Sequence, residues 1–260
     1  MILRYLYYMI FGINIMLFMG VVLPPIIYAL MIYLTSPHKS INIVDGLHYV
    51  GIGAFSVIML PFLSILLPDW NTDFISLNTF QNFFMVVAPK EELIKYLSFL
   101  ILFTAKKKKD VHPLSIMFYM GMVGLGFAMV ENLQYLSAYG TEVLKTRTFT
   151  STIAHMLFGM FAGYWIALGR INTGKFGTRS VFGLLMSKNP EFKRLIYLVL
   201  GLLSAIIYHG LWNYNLETSG NSSSTIMILM LFLGLVITKF ASLDILSQHK
   251  KKIKRSTNNS

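Results

Sequence analysis

Ala88-Pro89-Lys90-Glu91-Glu92-Leu93-Ile94-Lys95-Tyr96 places two adjacent carboxylates and two ammonium groups inside an apolar run. Phe83 to Val87 precede it and Leu97 to Phe103 follow it. Ionisable groups in an apolar segment of membrane length are costly, so they are paired, turned to the interior of a helical bundle and tied to function. Pro89 suits the first turn of a helix, where its missing N–H costs nothing, and carboxylates favour the same end. From there Glu91 reaches Lys95 at i+4 and Glu92 reaches it at i+3, while the two glutamates point about 100° apart. Taken alone, the stretch reads either as a structural ion pair at a helix start or as part of a working site.

The rest of the chain gives the stretch a membrane to sit in. It has 260 residues, of which 55% are hydrophobic and 13% charged, with a mean hydropathy of +0.62. Apolar runs of that length and number specify a polytopic, all-α transmembrane bundle, because lipid offers no partner for an unpaired backbone group. A transmembrane barrel would need alternating strands, and the pattern is absent. There is no cysteine, which excludes disulfides, a thiol nucleophile and thiolate-held metal. The formal net charge of +11 sits in loops flanking the apolar spans, so it signals orientation in the bilayer and not nucleic acid.

About seven spans are expected, near residues 5–34, 47–67, 89–105, 113–137, 149–169, 194–214 and 225–246. Pro24-Pro25 is expected to kink the first or end it early. Asn78, Gln81 and Asn82 mark an interfacial or broken helix leading into Pro89. Lysine and arginine concentrate at 106–109, 170–194 and 250–255. With seven spans these segments share one side, the cytosol, which leaves the N-terminus outside the cell membrane and the C-terminus inside. Residues 1–248 then form one membrane domain, 249–260 a basic, disordered tail, and Val181–Met186 an interfacial helix. The glycines of Gly121-Met122-Val123-Gly124-Leu125-Gly126 permit close approach of helices.

Few other ionisable groups enter the spans. The fourth carries Phe127-x-x-x-Glu131-Asn132-x-x-Tyr135, the fifth His155, and the sixth His209-x-x-x-Asn213. Counted from the cytosolic end of each helix, Glu92, Glu131, His155 and His209 all lie about 20–27 Å deep. Four helices of alternating direction therefore put an ionisable group in one layer of a core about 30 Å thick, toward its outer side. Scattered structural ion pairs would not converge in this way.

Such a layer holds a carboxylate able to take a proton from water and donors able to meet a developing oxyanion. The same Glu and His side chains could instead hold Zn²⁺. There is no HExxH pair and no Gly-x-Ser-x-Gly elbow, so neither a common zinc-protease helix nor a serine triad is encoded. Glu91-Glu92-x-x-Lys95, Phe127-x-x-x-Glu131-Asn132-x-x-Tyr135, His155 and His209-x-x-x-Asn213, each on its own span, resemble the ordered motifs of the PrsW family. Those intramembrane proteases are similar to the CAAX-processing and Abi proteases, which have His where Glu131 stands. The resemblance spans about residues 80–215. It implies hydrolysis of a peptide bond in or beside the membrane, for example the first-site cleavage of a single-pass anti-sigma factor, by a metal-dependent or glutamate-dependent route.

The expected enzyme is thus an intramembrane endopeptidase with Glu91 as general base and Glu92 as the alternative. Lys95 holds the pair, and Asn132 and Tyr135 support the layer. His209 and Asn213 polarise the scissile carbonyl. His155 and Glu131 position the water or, with His209, bind a divalent metal such as zinc. Its partners are a single-pass membrane substrate and the lipid bilayer, with no nucleic acid. A proton-coupled transporter and a non-catalytic partner-binding protein are the competing classes, and no internal repeat of the transporter kind is visible.

Overall fold

The computed structural model describes residues 18–35, 41–66, 77–106, 111–173, 190–220 and 223–258. These residues fold as helices with no strand among them. In chain order the helices are α1 (Leu23–Thr35), α2 (Ile43–Leu66), α3 (Ala88–Ala105), α4 (Pro113–Tyr139), α5 (Glu142–Arg147), α6 (Ser151–Thr173), α7 (Pro190–Thr218) and α8 (Ser223–Asn258). The chain is a helical membrane bundle. Five of the helices, α2, α4, α6, α7 and α8, are long and apolar enough to cross a bilayer. The other two expected spans are α1, which has a shorter apolar stretch, and α3, whose own ionisable residues depress its hydropathy. The expected interfacial helix at Val181–Met186 lies outside the described residues.

At the centre are α4 and α6. Helix α4 packs on α2 and α6, α6 packs on α4, α7 and α8, and α3 closes the ring between α2 and α7. The glycines of α4 decide how close these helices come. A Cβ on Gly124 would fall 2.0 Å from the His155 carbonyl oxygen, and one on Gly126 would fall 1.9 Å from that of Val50. Gly53 and Gly159 return the contact, their absent Cβ positions lying 2.1 Å and 2.3 Å from the carbonyls of Val123 and Met120. Without a hydrophobic driving force between helices in lipid, such backbone contact is how transmembrane helices bind one another.

Two features of helix ends bear on the expectations. Of the two outcomes expected for Pro24-Pro25, an early end is excluded: a π-helical turn, Phe18–Val22, runs straight into α1. Pro24 cannot donate to the carbonyl of Gly20, and the Thr148 hydroxyl takes that carbonyl at 2.9 Å, which is how a membrane helix tolerates proline. Nor is 249–258 a disordered tail, since α8 continues to Asn258. Lysines and arginine are good helix formers and are favoured near a helix C-terminus. Lys252 also docks there, its Nζ donating to the Ile171 carbonyl at 2.6 Å.

The segment before α3 is broken, as its polar residues suggested. Asn78 caps a single turn, Thr79–Gln81, through a reciprocal pair of bonds with Gln81. A π-helical stretch, Asn82–Val87, then feeds α3 without interruption. Single π turns of this kind occur at functional sites, and this one sets the rotation with which Glu91 and Glu92 enter the bundle.

Candidate active site

Helices α3, α4, α6 and α7 bring the expected residues into one buried cluster. Lys95 and Glu92 are each only 1% exposed, and their side chains meet at 2.5 Å through Nζ and Oε1. The same Oε1 accepts from His209 Nδ1 at 2.7 Å. Lys95 Nζ also lies 3.1 Å from His155 Nδ1. An ammonium has no acceptor, so His155 must accept there and carry its proton on Nε2. That nitrogen lies 2.9 Å from Glu131 Oε2 and donates to it. For His209 the proton sits on Nδ1, and Nε2 presents a lone pair, met by Asn213 Nδ2 at 3.0 Å.

Glu91 and Glu92 share one histidine from its two sides. Although the two side chains leave the helix about 100° apart, both reach it: Glu92 binds His209 Nδ1, while Glu91 Oε2 stands 3.8 Å from Nε2. Lys95 is the ion partner of Glu92 and not of Glu91. Glu91 is the more open carboxylate, with 16% of its side chain exposed. Glu91 Oε2 and Glu92 Oε2 are both buried and have no hydrogen-bond partner. Unsatisfied carboxylate oxygens in a buried site call for a further donor or cation.

Aromatic rings wall the cluster. Phe158 stacks on the His209 ring at 4.7 Å between centroids, and the two histidine rings stand edge to face at 5.2 Å. Lys95 Nζ lies 4.3 Å over the Phe127 ring. Phe158 and Phe127 thus face the charged and polar groups of the cluster.

Sequence reasoning passed over one residue that the cluster needs. Arg147, at the end of the short helix α5, binds Glu131 Oε2 at 2.5 Å through a guanidinium nitrogen and Asn132 Oδ1 at 2.9 Å through Nε. Its guanidinium carbon lies 3.6 Å over the ring of Tyr135. Asn132 in turn donates to the Thr152 hydroxyl at 2.9 Å. A signal was present: Arg147 and Lys145 are basic residues in a connection on the side opposite the three basic clusters, against the usual charge bias. A cation there has a reason other than orientation.

Two patterns emerge from these contacts. Each histidine is fixed in tautomer and rotation by a carboxylate, Glu92 for His209 and Glu131 for His155, and each carboxylate is held by a cation. This is how metal-ligating imidazoles are oriented. Glu91, His155 and His209 each bring one donor atom within 4.8 Å of the others. Two imidazoles and a carboxylate are the donor types of a divalent site with an open position for water, but His155 Nδ1 is taken by Lys95 and His209 Nε2 by Asn213, so an ion would have to displace both. The free oxygens of Glu91 and Glu92 fit it too. In this trio Glu91 stands where sequence reasoning had placed Glu131, whose Oε2 is occupied by Arg147 and His155.

The protein-family model described as PrsW family intramembrane metalloprotease matches residues 46–238. Protease PrsW of Oceanobacillus iheyensis is 28% identical over 178 residues, 68% of this chain and 71% of that protein. Protease PrsW of Clostridioides difficile is 27% identical over 209 residues, covering 78% and 79% of the two chains. For Protease PrsW of Shouchella clausii the identity is 32% over 99 residues, 38% of each chain. No solved structure matches.

Proposed function

The chain belongs to the PrsW family of intramembrane metalloproteases and is a peptide hydrolase of the membrane; from that premise we propose that it cuts a single-pass, membrane-anchored protein at the Glu91/His155/His209 cluster. The observation that carries this reading is the free oxygen of Glu91, buried without a partner 3.8 Å from His209 Nε2, whose lone pair is met by Asn213. A water hydrogen-bonded to that Glu91 oxygen, beside the Asn213 amide, would be held and stripped of its proton in one place.

The hydrolysis is then written on the chain's own residues. The water oxygen bonds to the scissile carbonyl carbon as its proton passes to Glu91. Negative charge moves to the carbonyl oxygen. Since His209 carries its proton on the nitrogen bound to Glu92, the N–H offered to that oxygen comes from Asn213, whose amide lies beside Nε2. The C–N bond breaks, and Glu91 returns the proton to the departing amine. Lys95 holds Glu92 and His155, and Arg147 holds Glu131, so neither imidazole turns during the step. If a divalent ion is part of the resting enzyme, Glu91, His155 and His209 hold it, and it supplies Lewis-acid polarisation and a more acidic water.

The lysine clusters favour a cytosolic side for the 106–109, 170–194 and 250–255 segments, and with it an N-terminus outside the cell membrane. An anti-sigma factor, a single-pass protein cut first from outside, fits such an enzyme. Purified protein in proteoliposomes with a single-pass substrate tests the reading. Cleavage lost in Glu91→Gln and in His209→Ala supports it, and near-normal turnover in both removes it. Elemental analysis of the active enzyme separates the two chemistries: about one divalent ion per chain supports metal, and well under one leaves Glu91 as sole base.

A further inference from the structure

The seam between α6 and α8 carries two clefts of different chemistry, end to end. Phe161 and Trp165 of α6, Ile207 of α7, and Ile237 and Phe240 of α8 wall an apolar cleft of about 600 Å³. Some two turns further along α8, a second cleft of about 310 Å³ is lined by Ile171 and Asn172 of α6 with Gln248, Lys251, Lys252 and Arg255 of α8. Its charged residues are all cations. Asp244, at the end of the apolar cleft, is held by the Tyr164 hydroxyl at 2.9 Å and the Gln248 amide at 2.8 Å. Lys252 is committed to the Ile171 carbonyl. Lys251 and Arg255, one turn apart, have no carboxylate partner among the described residues.

Depth joins the two clefts. Asp244 lies about 30 Å along α8 from Ser224, the thickness of the hydrocarbon core. The apolar cleft therefore sits at acyl-chain level, and Lys251 and Arg255 reach the headgroup layer. We propose that this seam binds one anionic phospholipid, its phosphate on Lys251 and Arg255 and one acyl chain in the apolar cleft between α6, α7 and α8. Charge complementarity selects the occupant. A zwitterionic headgroup brings its own ammonium to a cleft that already holds three cations, and a substrate helix offers no phosphate to them. Neither cleft is lined by Glu91, His155 or His209, so the lipid would not occupy the place of the scissile bond.

Native mass spectrometry of the intact protein, titrated with phosphatidylglycerol or phosphatidylcholine, tests this. Two cations at a membrane surface are worth roughly thirtyfold in affinity. The Lys251→Gln/Arg255→Gln pair should lose about that factor for phosphatidylglycerol. A control pair, Lys250→Gln/Lys254→Gln, removes the same charge from the same helix but lies outside the cleft, and should lose at most threefold. Ala241→Leu, which fills the apolar cleft, should weaken phosphatidylglycerol at least fivefold with the headgroup cations intact. Equal losses in the two pairs would mean diffuse attraction and overturn the site. So would the absence of any preference over phosphatidylcholine. Unchanged binding in Ala241→Leu would overturn the acyl-chain half.

Discussion

Arg147→Gln is the sharpest probe of how the cluster is held. The substitution removes a 2.5 Å charge-assisted bond to Glu131, a 2.9 Å bond to Asn132 and a cation placed 3.6 Å over Tyr135. Hydrogen bonds to charged groups contribute about 1.5–3 kcal/mol each. Part of the loss is recovered because the glutamine amide can still reach one partner, so a stability cost of about 2–3 kcal/mol is expected. The rate should suffer more than the fold. Glu131 keeps His155 in place only while its own position is fixed, and removing a group that orients an imidazole typically costs about 10–100-fold. Arg147 never touches the scissile bond in this scheme, so kcat should fall by that factor with KM unchanged. Arg147→Lys keeps the charge and loses the forked geometry, and should return to within about tenfold of wild type. The assay is single-turnover cleavage of a single-pass reporter in proteoliposomes, with thermal melting of the same samples. A kcat for Arg147→Gln within twofold of wild type would sink the idea that the cation positions the cluster.

Glu91→Gln and Glu92→Gln should separate chemistry from stability. The first should abolish cleavage with little change in melting temperature; the second strands Lys95 in the core and should cost about 3–5 kcal/mol, read in the same melting experiment. Gly124→Ala has no room for its methyl against the His155 carbonyl, 2.0 Å away, and should cost about 1–3 kcal/mol and slow cleavage by prising α4 from α6. Finally, mass spectrometry of the two product fragments should place the cut near the outer end of the substrate's transmembrane helix. A cut in its cytosolic half would show that the assigned topology is wrong.

Much of this was legible because membranes make polar residues conspicuous. Glu91, Glu92, Lys95, Glu131, His155 and His209 stood out against apolar spans, and helical rise alone put them at one depth. The glycines of α4 announced close packing for the same reason: nothing else explains so many in a span. What the sequence did not yield were the partners. Which of Glu91 and Glu92 takes Lys95 depends on the rotation of α3, set by a π turn over Asn82–Val87 that no local pattern specifies. Arg147 escaped because it belongs to a connection, where a basic residue ordinarily means solvent. The continuation of α8 through Lys250–Arg255 escaped because a run of like charge reads as an unfolded tail unless its docking on α6 is known.

The charges of the cluster do not cancel, and the imbalance points at the reaction. Glu91, Glu92 and Glu131 face Lys95 and Arg147, and both imidazoles are in neutral tautomers fixed by their bonds. With all three carboxylates ionised, one negative charge is in excess within the hydrogen-bonded cluster. Leaving an ion uncompensated in such surroundings costs several kcal/mol, and the excess falls on Glu91, the one carboxylate of the three that neither Lys95 nor Arg147 pairs. In the proposed step, accepting a proton from water there would cancel the excess and hand the charge to the attacked carbonyl oxygen. The step moves one negative charge across the cluster, from a carboxylate with no partner to an oxygen that Asn213 can meet. A layer balanced in advance would gain nothing from that transfer.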